Sequence, residues 1–407
     1  MAELSVAKNE LEEFKCSAND AIEFKLVRNV QDIDDEEKAF PPDMTHQVFG
    51  DSEMIFGYRG LKVSIYYTGS KLIPYLRISH SEVCNTKEHG VSPDDIEKLL
   101  AQELPPGYLT NLDTFKAALS DEATFKPFGE KIDSYTVTTK NGEERHFDVY
   151  FAKMEKSGFQ KFHERIQSFI KFYIDAASYI DVDDPQWQYY FLFERYKEDG
   201  ETRLAAAGYM TVYNFYAYPT HIRPRMSQVL VLTPFQRLGL GAKLVQTFYN
   251  TCYSRSDVLD ITVEDPSDNF QRLRDFVDAQ NCMKLKYFQL SELKKGFSHD
   301  MLHEAQTKLK LSKLQTRRMY EILRLKATDQ SNKEEFREYR LDVKRRLNIP
   351  YMKTKRMFLK LENCLNPEEI AQTLGLVTKE QKFLTLENDF QTALAAYRRV
   401  LERLASS

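Results

Sequence analysis

The chain has 407 residues, 42% of them hydrophobic and 29% charged, and a formal net charge of -4. That is an ordinary globular composition with room for two or three domains. The near-neutral charge gives no overall pull toward nucleic acid, and no apolar stretch approaches the roughly 18 residues of a membrane span.

From Met1 to about Ala123, short strands and turns alternate. Leu61–Tyr67 and Ile73–Ser79 read as strands on either side of the turn Thr68–Lys71. Pro105-Pro106-Gly107 then breaks the chain before a short helix from Asn111. Residues 1–123 are expected to form one small α+β domain. The start of the chain has no signal-peptide apolar core, so a cytosolic or nuclear protein is expected.

Residues 124–280 carry clearer patterning. Asn141-Gly142, the strongest short hairpin signal, separates two strands, Asp133–Lys140 and His146–Lys153. From Phe159, apolar residues recur at helical spacing through Phe162, Ile166, Phe169, Ile170, Tyr173 and Ala177. A helix with such a stripe must bury it. Asp199-Gly200 marks a second hairpin, between Trp187–Tyr196 and Arg203–Phe215. Met226–Leu232 reads as a strand, Ala242–Tyr253 as a helix, Val258–Val263 as a strand and Phe270–Ala279 as a helix. Residues 281–407 are helical and charged. Asp300–Ala327, Lys333–Leu347 and Asn388–Leu404 are predicted helices, with Pro350 and Pro367 as punctuation. Packing against the core is the expected role of most of this tail; a partner-binding helix is the alternative. The basic run Arg340–Arg346 and the cluster Lys353–Arg356 read equally as a nuclear import signal or as solvated helix faces. The cysteines, Cys16, Cys84, Cys252, Cys282 and Cys364, form no C-x-x-C pair, and the histidines show no ligand spacing. No metal is expected.

The richest segment is Met226–Leu244, where a hydrophobic strand enters a turn with Gly239 and Gly241 and an apolar helix follows at once. Glycines allow a tight turn and close approach of a ligand, and free amides at the helix start suit a pyrophosphate. Two cofactors fit, a dinucleotide and coenzyme A. The dinucleotide fingerprint wants a small third residue, where Leu244 is bulky, and an early place in a parallel sheet. Glu264 does stand where that fingerprint's acid would, so spacing alone leaves both readings open. The late position in the chain, after several antiparallel strands, favours coenzyme A.

The run Gln236–Ala242 resembles the Q/R-x-x-G-x-G/A motif of the GNAT acetyltransferases. With Gly208–Pro219, Arg223–Phe235, Leu259–Ser267, Ile180–Asp184, His46–Asp51 and Tyr339–Arg346, most of the chain is similar to the catalytic subunit of the type B histone acetyltransferases. The resemblance implies an α+β fold with a GNAT-type mixed central sheet flanked by helices, an N-terminal α+β domain and a helical C-terminal region. It implies acetyl transfer from acetyl-CoA to lysines in the amino-terminal tail of newly synthesised, soluble histone H4, with histone H3 and a WD40-repeat histone-binding subunit as partners. Chromatin assembly in nucleus and cytoplasm is the implied setting, with no direct contact to nucleic acid or membrane.

Lysine transfer needs a base, because an amine of pKa near 10.4 is almost all ammonium at neutral pH, and deprotonation costs about 4–5 kcal/mol. Glu264, at the carboxyl end of a strand, is the implied general base. Its neighbour Asp265 is a second candidate; Asp265 or Ser267 would equally cap the following helix. Asp175 is a third candidate, where the family leads one to expect a glutamate; a solvated place on the Phe159 helix is its other reading. For the coenzyme, Val229, Leu230 and Val231 would offer main-chain groups to the pantetheine arm and the thioester carbonyl. Gln236, Arg237, Leu238, Gly239, Leu240, Gly241 and Ala242 would hold the pyrophosphate, with Asn269 a further contact by resemblance. Implied histone contacts are Asp51, Glu53, Tyr213, Asn214 and Phe215. With Asp181, Asp183 and Asp184, the acids Asp51, Glu53, Glu264 and Asp265 would line an acidic groove for a lysine-rich peptide. A non-catalytic histone escort that keeps an acetyl-CoA fold, or an N-acetyltransferase for polyamines and other amines, remain the alternatives.

Overall fold

The computed structural model describes residues 11–85, 90–154, 158–180, 183–361 and 379–406. Asp181, Cys364 and Pro367 lie outside them. The chain forms two compact units: Met1–Tyr216 with Pro224–Phe248, and Ala217–Arg223 with Tyr249–Ser407.

The first unit contains a small three-stranded sheet of β1 (Ile22–Val27), β2 (Lys62–Thr68) and β3 (Pro74–Ser79), in the order β1-β2-β3. The expected turn after Thr68 joins β2 to β3, which pair antiparallel, with Tyr67 opposite Pro74. Helix α1 (Ile96–Glu103) was not legible in the pattern, whereas α2 (Leu112–Ser120) starts where expected, with Asn111 accepting from the Thr114 amide. The larger sheet has six strands, of which this unit carries β4 (Glu130–Thr138), β5 (Glu144–Ala152), β6 (Trp187–Glu198), β7 (Glu201–Ala217) and most of β8 (His221–Val231). Both hairpins form as predicted. In the second, Glu198 faces Glu201 across Asp199 (φ 52°) and Gly200 (φ 81°), the left-handed pair that matches strand twist.

The aromatic stripe after Phe159 explains why these parts make one unit. Helix α3 (Phe159–Gln167) sets Phe162 against Phe191 with ring centroids 5.2 Å apart, and Phe159 against Tyr189 at 4.9 Å. The residues that follow turn the other way, placing Phe169 4.3 Å from Tyr67 and Phe172 5.1 Å from Phe24. One segment thus buries apolar surface on both sheets, a large favourable term at roughly 25 cal/mol per Å². The single helix expected through Ala177 is corrected: α3 stops at Gln167 and a short α4 spans Ile170–Tyr173. Gln47 Nε2 donates to the carbonyls of Lys171 (3.2 Å) and Ile174 (2.9 Å), closing the helix end, and Ala176 is left-handed (φ 53°).

Helix α5 (Leu240–Tyr253) leads from the first unit into the second. Here Ile222 forms a parallel bridge to Val258, and Ile261 one to Leu311. The strand expected over Val258–Val263 is reduced to β9 (Thr262–Val263), the sixth strand of the large sheet. The antiparallel strands with this parallel bridge, together with the helices, bear out the α+β class. Helix α6 (Asp268–Cys282) is followed by α7 (His299–Leu309), α8 (Lys313–Ala327), α9 (Lys333–Leu347), α10 (Ile349–Leu361) and α11 (Lys379–Ser406).

Buried polar contacts join these helices. The Glu321 carboxylate, fully buried, accepts from Arg317 (2.9 Å), Arg346 (2.8 Å) and the Tyr397 hydroxyl (2.9 Å), linking α8, α9 and α11. Phe390, Leu394, Tyr397 and Val400 of α11 are buried as well, so that face of the tail is packing surface. Within the basic run, Arg340 and Lys344 both pair with Glu387, and Arg346 pairs with Glu321. Much of that charge is therefore neutralised inside the unit.

Candidate active site

The glycine turn lies in the first unit. Along β8, Val229 and Val231 are half-buried while Leu230 is buried, the alternation of a strand with one covered face. Gly208 of β7 makes room for this segment: a Cβ there would stand 2.3 Å from the Leu230 carbonyl oxygen. Beside it the register of β6 and β7 slips by one residue, with Leu192 opposite Gly208 and Phe193 opposite Ala206. The Ala207 carbonyl then accepts from the Leu232 amide at 2.9 Å.

After β8 the chain takes one 3-10 turn over Thr233–Phe235, and Phe235 is fully buried. Gln236 Nε2 returns a hydrogen bond to the Val231 carbonyl at 3.0 Å, using one of that oxygen's two lone pairs. Arg237 (φ 61°) and Gly239 (φ 78°) are left-handed and exposed. Nothing stands within 4 Å of where a Gly239 side chain would begin, so glycine serves the backbone there and leaves the turn open. Leu240, 1% exposed, anchors the start of α5, while Leu238 is half-buried. The amides of Leu240, Gly241 and Ala242 have no acceptor within their own helix, and the helix dipole adds positive potential there. The segment can hold a pyrophosphate through main-chain donors. The Leu240 side chain takes no part in that, being committed to the core.

Two polar clusters stand elsewhere in this unit. In the first, Glu53 (φ 51°) accepts from the amides of Thr45 (2.7 Å) and His46 (3.0 Å) and from Asn19 Nδ2 (2.8 Å). These donors, with the Thr45 amide foremost, hold its carboxyl below the usual range. His46 links Glu53 to Asp175: Nδ1 lies 3.7 Å from the Glu53 carboxylate and Nε2 3.0 Å from that of Asp175. Asp175 is exposed in the turn after α4, so its predicted place on a helix is corrected. Asp51 is exposed on the neighbouring turn. The role of His46 was not legible in the sequence, because its two partners come from distant segments.

In the second cluster the Tyr213 hydroxyl donates to Asp184 at 2.8 Å, which raises the tyrosine pKa. Trp187 packs edge-on to Tyr213 at 4.9 Å, Phe215 lies 4.6 Å from Tyr213, and the Arg225 guanidinium lies 4.6 Å over Phe215. The Asn214 amide donates to the Gln186 carbonyl at 3.1 Å. The predicted peptide contacts in this unit therefore divide between an acidic patch around Glu53 and an aromatic patch around Tyr213.

The remaining candidates belong to the second unit. Glu264 and Asp265 are exposed directly after β9, and Asp265 is left-handed (φ 28°). Ser267, of the two residues considered, caps α6: its hydroxyl accepts from the Phe270 amide at 3.2 Å. Asn269 is exposed in the first turn and accepts from Arg272. Just upstream, Asp260 pairs with Arg223 and fixes the approach to β9. Among the described residues no group of three or more His, Cys, Asp or Glu side chains is placed to hold a metal ion.

Two family models match the chain: "Histone acetyl transferase HAT1 N-terminus" over residues 14–175, and "Histone acetyltransferase type B catalytic subunit, C-terminal" over residues 274–325. The histone acetyltransferase type B catalytic subunit of Homo sapiens is 45% identical over 98% of this chain and 96% of its own length. That of Mus musculus is 45% identical over 98% and 97%, and one from Dictyostelium discoideum is 33% identical over 81% and 75%. A crystal structure of an aminoglycoside acetyltransferase from a soil metagenome, in complex with sisomicin, matches 31% of this chain and 83% of its own at 16% identity. Its TM-score of 0.23 is too low to inform the fold.

Proposed function

The chain belongs to the family of histone acetyltransferase type B catalytic subunits, and from that membership we propose that it acetylates lysines in the amino-terminal tail of newly synthesised, soluble histone H4. The observation that carries the reading is the strand, open glycine turn and helix from Val229 to Ala242, within a chain so similar to acetyltransferases over nearly its whole length.

In this reading the amides at the start of α5 hold the pyrophosphate of acetyl-CoA, and the main chain of Val229–Val231 holds the pantetheine arm. Acetyl-CoA supplies the activated acyl group. Main-chain N–H groups of β8 polarise the thioester carbonyl, an arrangement that acts most strongly where water is excluded. Glu264 takes the proton from the lysine ammonium, and the amine attacks the thioester carbon. The new amide bond forms as the carbon–sulfur bond breaks, and the departing thiolate takes up the second proton that the attacking nitrogen loses, leaving as the thiol. No covalent enzyme intermediate is needed. Glu53, Asp51 and Asp184 supply negative charge for a lysine-rich tail, and the Tyr213–Phe215 patch supplies flat surface for its backbone.

Histone H3 in complex with H4 and a WD40-repeat histone-binding subunit are the proposed partners, in nucleus and cytoplasm. The test is to offer soluble H3–H4 and assembled nucleosomes at equal concentration and to map acetyl-lysine by mass spectrometry. Acetylation of the H4 tail in the soluble sample alone is expected. Equal modification of both samples would defeat the assignment to newly made histone.

A further inference from the structure

Helices α6 and α11 of the second unit flank a half-open cleft of about 330 Å³ lined by Asn269, Arg272, Leu273, Arg399, Val400 and Arg403. Its three charged residues are all arginines. Arginines on the neighbouring helices are neutralised: Arg318 pairs with Asp275, Arg340 with Glu387 and Arg346 with Glu321. Among the described residues, Arg272, Arg399 and Arg403 pair with no carboxylate. Arg272 donates to the neutral Asn269 side chain, and the Arg403 guanidinium lies 4.1 Å over the Phe276 ring. Partial burial pulls the pKa of Arg403 down. Three arginines lining one cleft with no carboxylate among the lining residues concentrate positive charge there, and the amides of the first turn of α6 add to it, against one negative charge from Asp268 in that turn. Guanidinium forks match the oxygens of a phosphate in number and geometry.

We propose that this cleft is a binding site for a phosphate monoester, held by Arg272, Arg399 and Arg403. A nucleic-acid backbone is a poorer match, since it needs a basic stripe along many phosphates and this cleft gathers three arginines at one place. Two sources offer the same chemistry. One is the 3′-phosphate of coenzyme A, with Leu273 and Val400 as apolar wall beside it; this source rests on the acetyl-CoA reading above. The other is free phosphate.

The test is titration calorimetry of the whole chain with coenzyme A, with dephospho-coenzyme A, which lacks only the 3′-phosphate, and with inorganic phosphate. The wild type is compared with Arg399→Gln, and with Arg272→Gln as a second variant. Arg399 is exposed, so its variant should melt as the wild type does. Loss of one charge-assisted contact corresponds to roughly tenfold in affinity. Coenzyme A is expected to bind about tenfold more tightly than its dephospho form, and both variants to erase the difference. Equal binding of the two forms, with phosphate binding that either variant abolishes, would keep the site and assign it to free phosphate. A preference or a phosphate affinity that neither variant changes, or the absence of both, would overturn the proposal. Binding of neither coenzyme form would sink the acetyl-CoA reading instead, and the phosphate titration alone would then decide the cleft.

Discussion

Gly208→Ala tests whether β8 carries the coenzyme. The added methyl would lie 2.3 Å from the Leu230 carbonyl oxygen and 3.0 Å from the Val231 Cα, both main-chain atoms of β8. No rotamer can relieve that contact, so the strands must separate by about 1 Å, and overpacking of this kind costs about 1–3 kcal/mol. At ~2–4 °C per kcal/mol for a body of this size, the thermal midpoint should fall by several degrees. The shift falls on the residues proposed to hold the pantetheine arm. Weakening two main-chain hydrogen bonds of about 1 kcal/mol each lowers acetyl-CoA affinity roughly tenfold or more. Gly69→Ala is the control, because its Cβ would meet Arg28 Cγ and the Val27 carbonyl oxygen at 3.5 Å, an ordinary contact. Calorimetric titration and thermal melts read both effects. An unchanged melt would refute the packing argument. A lower melt with unchanged acetyl-CoA affinity would refute the placement of the coenzyme on β8.

Glu264→Gln should lower turnover about 10²- to 10⁴-fold, the range for loss of a general base, while acetyl-CoA affinity stays the same; unchanged turnover would end the base assignment. Glu321→Gln removes the charge on which Arg317 and Arg346 converge. Breaking a buried pair costs about 3–5 kcal/mol, so α11 should become sensitive to limited proteolysis. His163 is buried with neither ring nitrogen hydrogen-bonded among the described residues, and burial pushes its pKa down to about 3. A base whose folded pKa is depressed binds its proton mainly in the unfolded chain between pH 3 and the unfolded value of about 6.5. Stability should therefore be fully present above that value and fall as pH drops, by up to ~4 kcal/mol from this residue. His163→Leu should flatten that slope in denaturant titrations across the same pH range; an unaltered slope would show that the loss comes from other groups.

What the sequence revealed and what it hid divide along the range of the interactions. The hairpins at Asn141-Gly142 and Asp199-Gly200 were legible because turn residues act on their immediate neighbours. The helix over Lys333–Leu347 was read with its correct ends, since Asn332 caps it from the adjacent position. Elements closed by distant residues were misread. The Phe159 helix stops at Gln167, and the short α4 after it is closed by Gln47, a partner of which periodicity carries no trace. Asp300–Ala327 was read as one helix, but Lys310 adopts a left-handed cap (φ 54°) and Leu311 bridges to Ile261, dividing it into α7 and α8. Within the candidate site, the glycine turn was visible as a local pattern and the acids as charges. The linkage of Glu53, His46 and Asp175, and the arginine cleft between α6 and α11, depend on tertiary packing and left no local signal.

The most direct measurement is the initial rate of coenzyme A release from acetyl-CoA by the purified chain with an H4 amino-terminal peptide, with spermidine, or with no acceptor. The account predicts release that depends on the peptide, with a matching gain of acetyl-lysine by mass spectrometry. Stimulation by spermidine but not by the peptide, or no transfer even to intact histones with a WD40 partner, would contradict it.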